Sequence, residues 1–434
     1  MSIDLATAEL AADAEALRQG ELSPHEYATT LSTRIDTVND TLHAVVSESD
    51  RLNRVTDAIA ELEETFSDST ARPPLFGVPV GIKDIIHVDG IPTRAGSAVP
   101  PELLSGLEAS CVSRLRKAGA IVIGKTVTTE FAGAGPGLTR NPHNLDHTPG
   151  GSSSGSAAGV AAGLYPLALG TQTSGSVIRP AAFCGVVGLK PSYERLPRDG
   201  VIERSSTADH VGMFTQDVEG TALAASILCD EWSSRGEPSN MPTIGIPSGP
   251  YLDQASSTAI DSFERTMTVL EEAGCTIVRV SVPTFDAFDA LDRRHKWVTD
   301  AELALVHQDW YDDYRLFYRT SMVERIETGR TITTGQLAEG RASCLSLRAE
   351  LDDLMDDNGI DLWSAPAAVG PAPRTIRGTG DPVMNGPWTH SGLPVITLPS
   401  DTTQTGLPLG TQFIAAFNAD ERLLSWARMI EAAL

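Results

Sequence analysis

Lysine is almost missing from this chain. Only five of its 434 residues are lysine, and its 33 basic residues face 57 acidic ones, for a formal net charge of -24. Nucleic-acid surfaces are built from clustered Lys and Arg, so this balance argues against one. The acidic, lysine-poor composition fits a salty cytosol, where screening relieves self-repulsion, as well as it fits arginine-favouring codon usage. Cysteine is sparse too. Cys111, Cys184, Cys229, Cys275 and Cys344 are odd in number, far apart and without a CxxC pair, which argues against a disulfide framework or a cysteine zinc site and for free thiols in a reducing compartment. No stretch approaches the roughly eighteen apolar residues of a membrane span. The opening MSIDLATAELAADAEALRQG has neither a basic start nor an apolar run, so the expectation is a cytoplasmic, unprocessed protein. What remains, 41% hydrophobic and 21% charged, is the composition of an ordinary globular fold.

Along the chain, helical signals dominate the first seventy residues, where Ser23, Pro24 and Glu26 supply an N-cap, an N1 proline and a capping-box acid. LFGVPVGIKDIIHV (75–88) is a long apolar stretch interrupted by one lysine. A helix near 108–118 leads into the strand-like AIVIG, and the small-residue run SAAGVAAGL reads as a tightly packed helix before YPLALGT. PTIGIPS, SSTAIDSFERTMTVLEEAG and CTIVRVSV then read as strand, helix and strand. This alternation predicts an α/β fold with a mostly parallel sheet. One domain spans 1–434 in this reading: a helical segment at 1–70, a core at 75–225 and a helical insertion or cap at 285–357.

Three local patterns mislead. Gly119, Gly124, Lys125 and Thr126 satisfy GxxxxGK[ST], but the residues between the glycines are Ala-Ile-Val-Ile, a buried strand and not the sharp turn a phosphate loop needs. Gly151, Ser153 and Gly155 fit GxSxG, yet DHTPG before them is a turn where a nucleophile elbow requires a strand. His143 and His147 are separated by four, but Asn141-Pro142 and Pro149-Gly150 make that segment a loop. No metal or cofactor site is expected.

The chemistry concentrates in TPGGSSSGSAAGVAAGLYPLALGTQTSGSVIRP (148–180), rich in serine and glycine and devoid of histidine. Together with GVPVGIKD (77–84), GAIVIGKT, TEFA, TRNPHN, AAFCGVVGLKPS, DHVGMFTQDVEG (209–220) and the weaker distal blocks DLWSAP, SGLPVITLPS, GLPLGTQFI and ERLLSWA, in order over nearly the whole chain, it resembles the amidase signature family, which implies that family's fold, a central mixed, mostly parallel sheet covered by helices on both faces. The resemblance implies a triad of Ser176 as nucleophile, Ser152 as a bridging serine in a cis peptide, and Lys83 as base, with backbone N–H groups of Thr173, Ser174, Gly175 and Ser176 as an oxyanion hole. Physical chemistry points the same way. A lysine accepts a proton at neutral pH only if desolvation disfavours its charged form, and Lys83 lies in an apolar segment. Adjacent Asp84 would oppose this unless an extended backbone sends the two side chains to opposite sides.

Two departures from the family pattern stand out. Ser174 replaces the commoner glycine, which narrows the tolerated backbone angles. Arg179 sits one place further on than in SIRxP members, an arrangement similar to the malonamidase-type branch, where it binds a substrate carboxylate; the alternative is a structural pair with a protein acid. By similarity to a distal block, Asn385, Trp388 and His390 are candidate substrate contacts. The function this implies is cofactor-independent hydrolysis of a small-molecule amide. The alternatives are the glutamine-hydrolysing component of a tRNA-dependent amidotransferase complex, or a carbamate or ester hydrolase. A homodimer is common in the family and is allowed here.

Overall fold

The computed structural model describes residues 2–133, 135, 137–233, 238–374 and 378–434. Ten strands form one sheet: β1 (Pro79–Lys83), β2 (Ile121–Thr126), β3 (Leu167–Gln172), β4 (Val187–Lys190), β5 (His210–Thr215), β6 (Thr243–Ser248), β7 (Thr276–Ser281), β8 (Leu362–Pro366), β9 (Val395–Thr402) and β10 (Pro408–Ile414). Their order across the sheet is β2-β1-β3-β5-β4-β9-β10-β8-β6-β7. The sheet is mixed, as expected, but its balance differs from the expectation. Among the described residues, the β1–β2, β1–β3, β6–β7 and β6–β8 pairings are parallel, whereas β3–β5, β4–β5, β4–β9, β9–β10 and β8–β10 are antiparallel. The cause is local. β3, the helix Ile178–Cys184 and β4 do form a crossover, but β5 then returns and inserts between its two strands. Alternating strand and helix signals do not report such an insertion.

Helices cover the sheet, and the apolar side chains beneath them form two large buried clusters. The segment 285–357 is largely helical, with Phe288–Val306, Thr320–Thr331 and Thr334–Asn358 as its main elements. Ser23 caps the helix Pro24–Leu42 by accepting from the Glu26 N–H, with Pro24 at the first helical position. Most relevant to function is the helix Ser154–Ala161, SGSAAGVA, whose eight residues are all buried. Its glycines permit this depth: a Cβ at Gly155 would lie 2.1 Å from the Ala44 carbonyl oxygen, and one at Gly159 1.9 Å from the Tyr165 hydroxyl. The Ser152–Ser153 segment is thereby delivered to the carboxyl ends of β1 and β3. Parallel strands there pair Val80 with Leu167 and Ile82 with Leu169, so the register runs on to Lys83 beside Gly170, one residue before Thr171.

Candidate active site

Lys83, at the end of a strand buried along its whole length, has no exposed surface. Its Nζ lies 2.7 Å from Ser152 Oγ, 2.6 Å from Thr171 Oγ1 and 3.4 Å from the Thr171 carbonyl oxygen. Burial holds this amine well below the usual lysine range; Asp209 pulls it part of the way back, and Arg204 pushes it further down. A neutral amine has two hydrogens to give and one lone pair to receive with. This matches two oxygens of Thr171 and a hydroxyl hydrogen from Ser152. Asp84 does not disturb the arrangement, because its carboxylate turns away to the buried Lys125 ammonium at 3.1 Å and accepts from the Arg94 N–H. Lys125, the apparent phosphate-loop lysine, is therefore a residue of strand β2 that partners a buried acid at the end of β1.

The Gly151–Ser152 peptide is cis. Next to Ser152, the Ser153 hydroxyl donates to the Thr171 carbonyl and accepts from the Thr171 N–H, fixing the serine loop to β3. Gly150 has φ +83° and packs so closely on Pro180 that a Cβ would lie 2.7 Å from the proline Cα. The two serine-bearing segments thus lie against each other.

Ser176 occupies the turn between β3 and the helix Ile178–Cys184 and is 7% exposed. Its loop is held from several sides. Gln172 accepts from the Val177 and Ile178 N–H groups through Oε1 at 2.8 and 3.0 Å. The Thr389 hydroxyl donates to the Ser174 carbonyl at 2.6 Å, and Thr173 Oγ1 donates to Asp209 at 2.6 Å. Ser174 Oγ meets His295 Nε2 at 2.9 Å. Among the described residues, the N–H groups of Ser174, Gly175 and Ser176 have no acceptor in the protein. Gly175 is required here by contact: a Cβ would lie 2.4 Å from Asn385 Oδ1.

Arg179 is buried, and one Nη donates to the Gly151 carbonyl at 2.6 Å and to Thr379 at 3.2 Å. Its Nε and other Nη are buried without a hydrogen-bond partner. Burial pushes the guanidinium down to about 10, against a pull from Asp381. It forms no ion pair with a protein acid among the described residues.

The distal block divides. Asn385 stands against Gly175, donates to the Ala367 carbonyl and leaves its buried Oδ1 unpartnered. Trp388, expected as an aromatic wall, instead has no exposed surface; its indole donates to the Tyr251 hydroxyl and packs edge-on against Tyr251 and Phe285. A ring this large on a helix docked against an apolar cluster goes to the core. His390, expected as a direct polar contact, is buried against His295, Ser343 and Cys344. Sequence reasoning missed Thr171, Gln172, Asp209, His295 and Thr389. Thr171 and Gln172 lay within the quoted GTQTSGS run, Asp209 opened the DHVGMF block, and Thr389 stood between two candidates; His295 alone had no signal.

The family profile described as Amidase matches residues 26–424. One glutamyl-tRNA(Gln) amidotransferase subunit, from Syntrophus aciditrophicus, is 30% identical over 96% of this chain and 95% of its own length. For the protein of the same name from Persephonella marina the figures are 34% over 62% of this chain and 60% of that protein. Among solved structures, one described as an amidase superposes with a TM-score of 0.90 at 28% identity, covering 98% of this chain and 100% of that one. The native peptide amidase from Stenotrophomonas maltophilia gives a TM-score of 0.83 at 26% identity, covering 98% and 97%. With the profile running from the helix Pro24–Leu42 to the last helix of the chain, the protein belongs to the amidase family, in its amidase signature form.

Proposed function

We propose that this protein hydrolyses the C–N bond of a small amide that carries a carboxylate, through an acyl-enzyme on Ser176. The observation that carries the reading is the desolvated Lys83 amine 2.7 Å from Ser152 Oγ, which supplies a base where no histidine is needed. Neutral Lys83 takes the Ser152 hydroxyl proton as Ser152 takes that of Ser176, and Ser176 Oγ bonds to the amide carbon. The carbonyl oxygen gains the negative charge and is met by the N–H groups of residues 173–176. Reversal of the proton flow delivers a proton to the nitrogen as the C–N bond breaks, and ammonia or an amine leaves. Water then attacks the ester by the same route, releasing the acid and restoring Ser176.

The carboxylate is assigned to Arg179. Two of its buried donors have no partner, and such groups are costly unless a ligand satisfies them. A carboxylate oxygen on a free donor of this fixed planar group gains a charge-assisted hydrogen bond, which orients as well as binds. The test is ammonia release from primary amides, half of them bearing a nearby carboxylate such as malonamate, with Ser176→Ala beside wild type. Activity confined to the carboxylate half and lost in the variant supports the reading; release from neutral amides alone removes the carboxylate assignment.

A second reading has support from the names of relatives at about 30% identity over nearly the whole chain, each a subunit of a glutamyl-tRNA(Gln) amidotransferase. Those names favour glutamine hydrolysis within a complex more directly than a free-standing amidase. Glutamine is itself a carboxylate-bearing amide, so both readings use the same triad and the same Arg179. They separate on partnership: the isolated chain turns over amides by itself in the first, and gains activity only with partner proteins in the second.

A further inference from the structure

Behind the nucleophile loop runs a buried chain of hydrogen bonds that the amide-hydrolysis reading does not use. Ser174 Oγ meets His295 Nε2 at 2.9 Å, His295 Nδ1 meets His390 Nδ1 at 3.3 Å, and His390 Nε2 meets Ser343 Oγ at 2.7 Å. The Ser343 hydroxyl also donates to the Gly340 carbonyl at 2.7 Å. Both rings are buried. Burial, with Arg204 and Arg325 near His295 and the two rings near each other, pushes both down to about 3. Two neutral rings facing each other through Nδ1 must be one donor and one acceptor, so the chain has a single direction. His295 is also hydrogen-bonded to the Thr173 backbone, so the ring holds two consecutive residues of the loop, Thr173 and Ser174.

His295 lies on the helix Phe288–Val306, and Ser343 on the helix Thr334–Asn358. The same two helices hold the nucleophile loop by a second route. Arg341 pairs with Glu302, Glu302 accepts from Ser205 and Thr207, and the Ser205 N–H donates to Asp209, which takes the Thr173 hydroxyl. Thr173 and Ser174 are thus both anchored from the helical segment 285–357. The Ser174 anchor depends on a side chain that the commoner glycine would lack.

We infer that His295 is a positioning residue for Ser176: by holding Ser174 Oγ it sets the loop backbone whose N–H groups and nucleophile must meet the reacting carbonyl together. The helical segment therefore adjusts the nucleophile as well as covering the sheet. This rests on Ser176 being the nucleophile. Misplacement by about 1 Å costs on the order of 100-fold in rate without any loss of chemical groups, and a positioning role is read in rate more than in affinity.

The experiment is a double-mutant cycle read by phosphonylation with an alkyl fluorophosphonate, with the labelled residue identified by mass spectrometry. Wild type, His295→Ala, Ser174→Gly and the double variant are compared for maximal labelling rate and for the concentration giving half of it. Expected is a rate about 10- to 100-fold lower in His295→Ala with half-saturation within about twofold, and less than about twofold further loss when His295→Ala is added to Ser174→Gly. His295→Gln, whose amide reaches the Nε2 position, restores most of the rate; His295→Asn, which reaches only Nδ1, does not. That contrast decides the matter if the alanine variant fails to fold. Equal losses in both backgrounds, or an unchanged rate in His295→Ala while wild type labels at Ser176, would overturn the inference alone. No labelling of wild type at Ser176 would overturn the nucleophile assignment and this inference with it.

Discussion

Arg179 and Gly151 are joined by a 2.6 Å hydrogen bond from a guanidinium Nη to the carbonyl oxygen of the peptide that leads into Ser152. The group proposed to grip a substrate carboxylate is therefore fixed to the peptide that leads into Ser152, the proposed bridging serine. A ligand held on the free Nε and Nη is placed relative to the triad by one short path of bonds.

The first prediction follows from that path. Arg179→Met removes these donors and raises KM for carboxylate-bearing amides about 10- to 100-fold, the equivalent of roughly 1.5–3 kcal/mol for hydrogen bonds to a charged group. Neutral amides lose only the smaller kcat component that comes from releasing the Gly151 carbonyl. Steady-state kinetics on matched amide pairs measures the difference. Equal KM changes for both classes would show that Arg179 serves the fold alone.

In the proposed mechanism Lys83, Ser152 and Ser176 share one proton path, so their removal is expected to be non-additive. Ser176→Ala, Lys83→Ala and the double variant each lower kcat by on the order of 1,000-fold or more, and the double is no worse than the worse single. Lys83→Arg is as poor as Lys83→Ala, because a guanidinium stays protonated. The wild-type rate falls on acidification as Lys83 takes up a proton, and that limb lies well below the usual lysine range because burial favours the neutral amine. A rate that rose on acidification would remove Lys83 as base.

His390 gives a stability prediction with a definite sign. Its folded-state value is pushed down to about 3 by burial, against about 6.5 in the unfolded chain. Between these values the unfolded state binds the extra proton, so stability falls as pH falls, by up to about 1.4 kcal/mol per pH unit for this one ring. Above about pH 6.5 the ring contributes no slope. His390→Gln, which keeps a hydrogen-bonding side chain but cannot titrate, flattens the dependence of the unfolding midpoint between pH 4 and 6. An unchanged slope would mean that the ring is not held neutral.

Legibility differed between the strands, the triad and its supports. The helix Pro24–Leu42 was readable because its cap is local, a serine and a proline at fixed spacing. The meeting of Lys83 and Ser152 followed from motif order, and it depends on two buried segments whose apolar and small residues leave few other packings. The antiparallel centre of the sheet was not readable, since the insertion of β5 between β3 and β4 is a property of non-local pairing. The supports of the nucleophile loop were hidden for a similar reason. Gln172, His295 and Thr389 are common polar residues whose roles arise from neighbours as far as 217 positions away in the chain. Trp388 misled because aromatic type alone does not separate a pocket wall from a core ring.

Gly175 supplies the last prediction, in which sterics and conformation can be separated. Its backbone is outside the left-handed region, so an alanine can adopt the same angles; the obstacle is Asn385 Oδ1, 2.4 Å from where the Cβ would be. Gly175→Ala must therefore displace either Asn385 or the loop that carries Ser176. Asn385 is tied by Nδ2 to the Ala367 carbonyl and to Gln412, so part of the displacement falls on the loop, and kcat drops on the order of 10- to 100-fold. Shortening Asn385 to alanine removes the colliding oxygen. Because that oxygen is buried without a partner, its loss leaves no donor unpaired there. In the Asn385→Ala background Gly175→Ala then costs several-fold less than in wild type, as kcat across the four variants would show. Equal costs in both backgrounds would mean that glycine is needed at 175 for the conformation of the loop itself, and that Asn385 only happens to stand beside it.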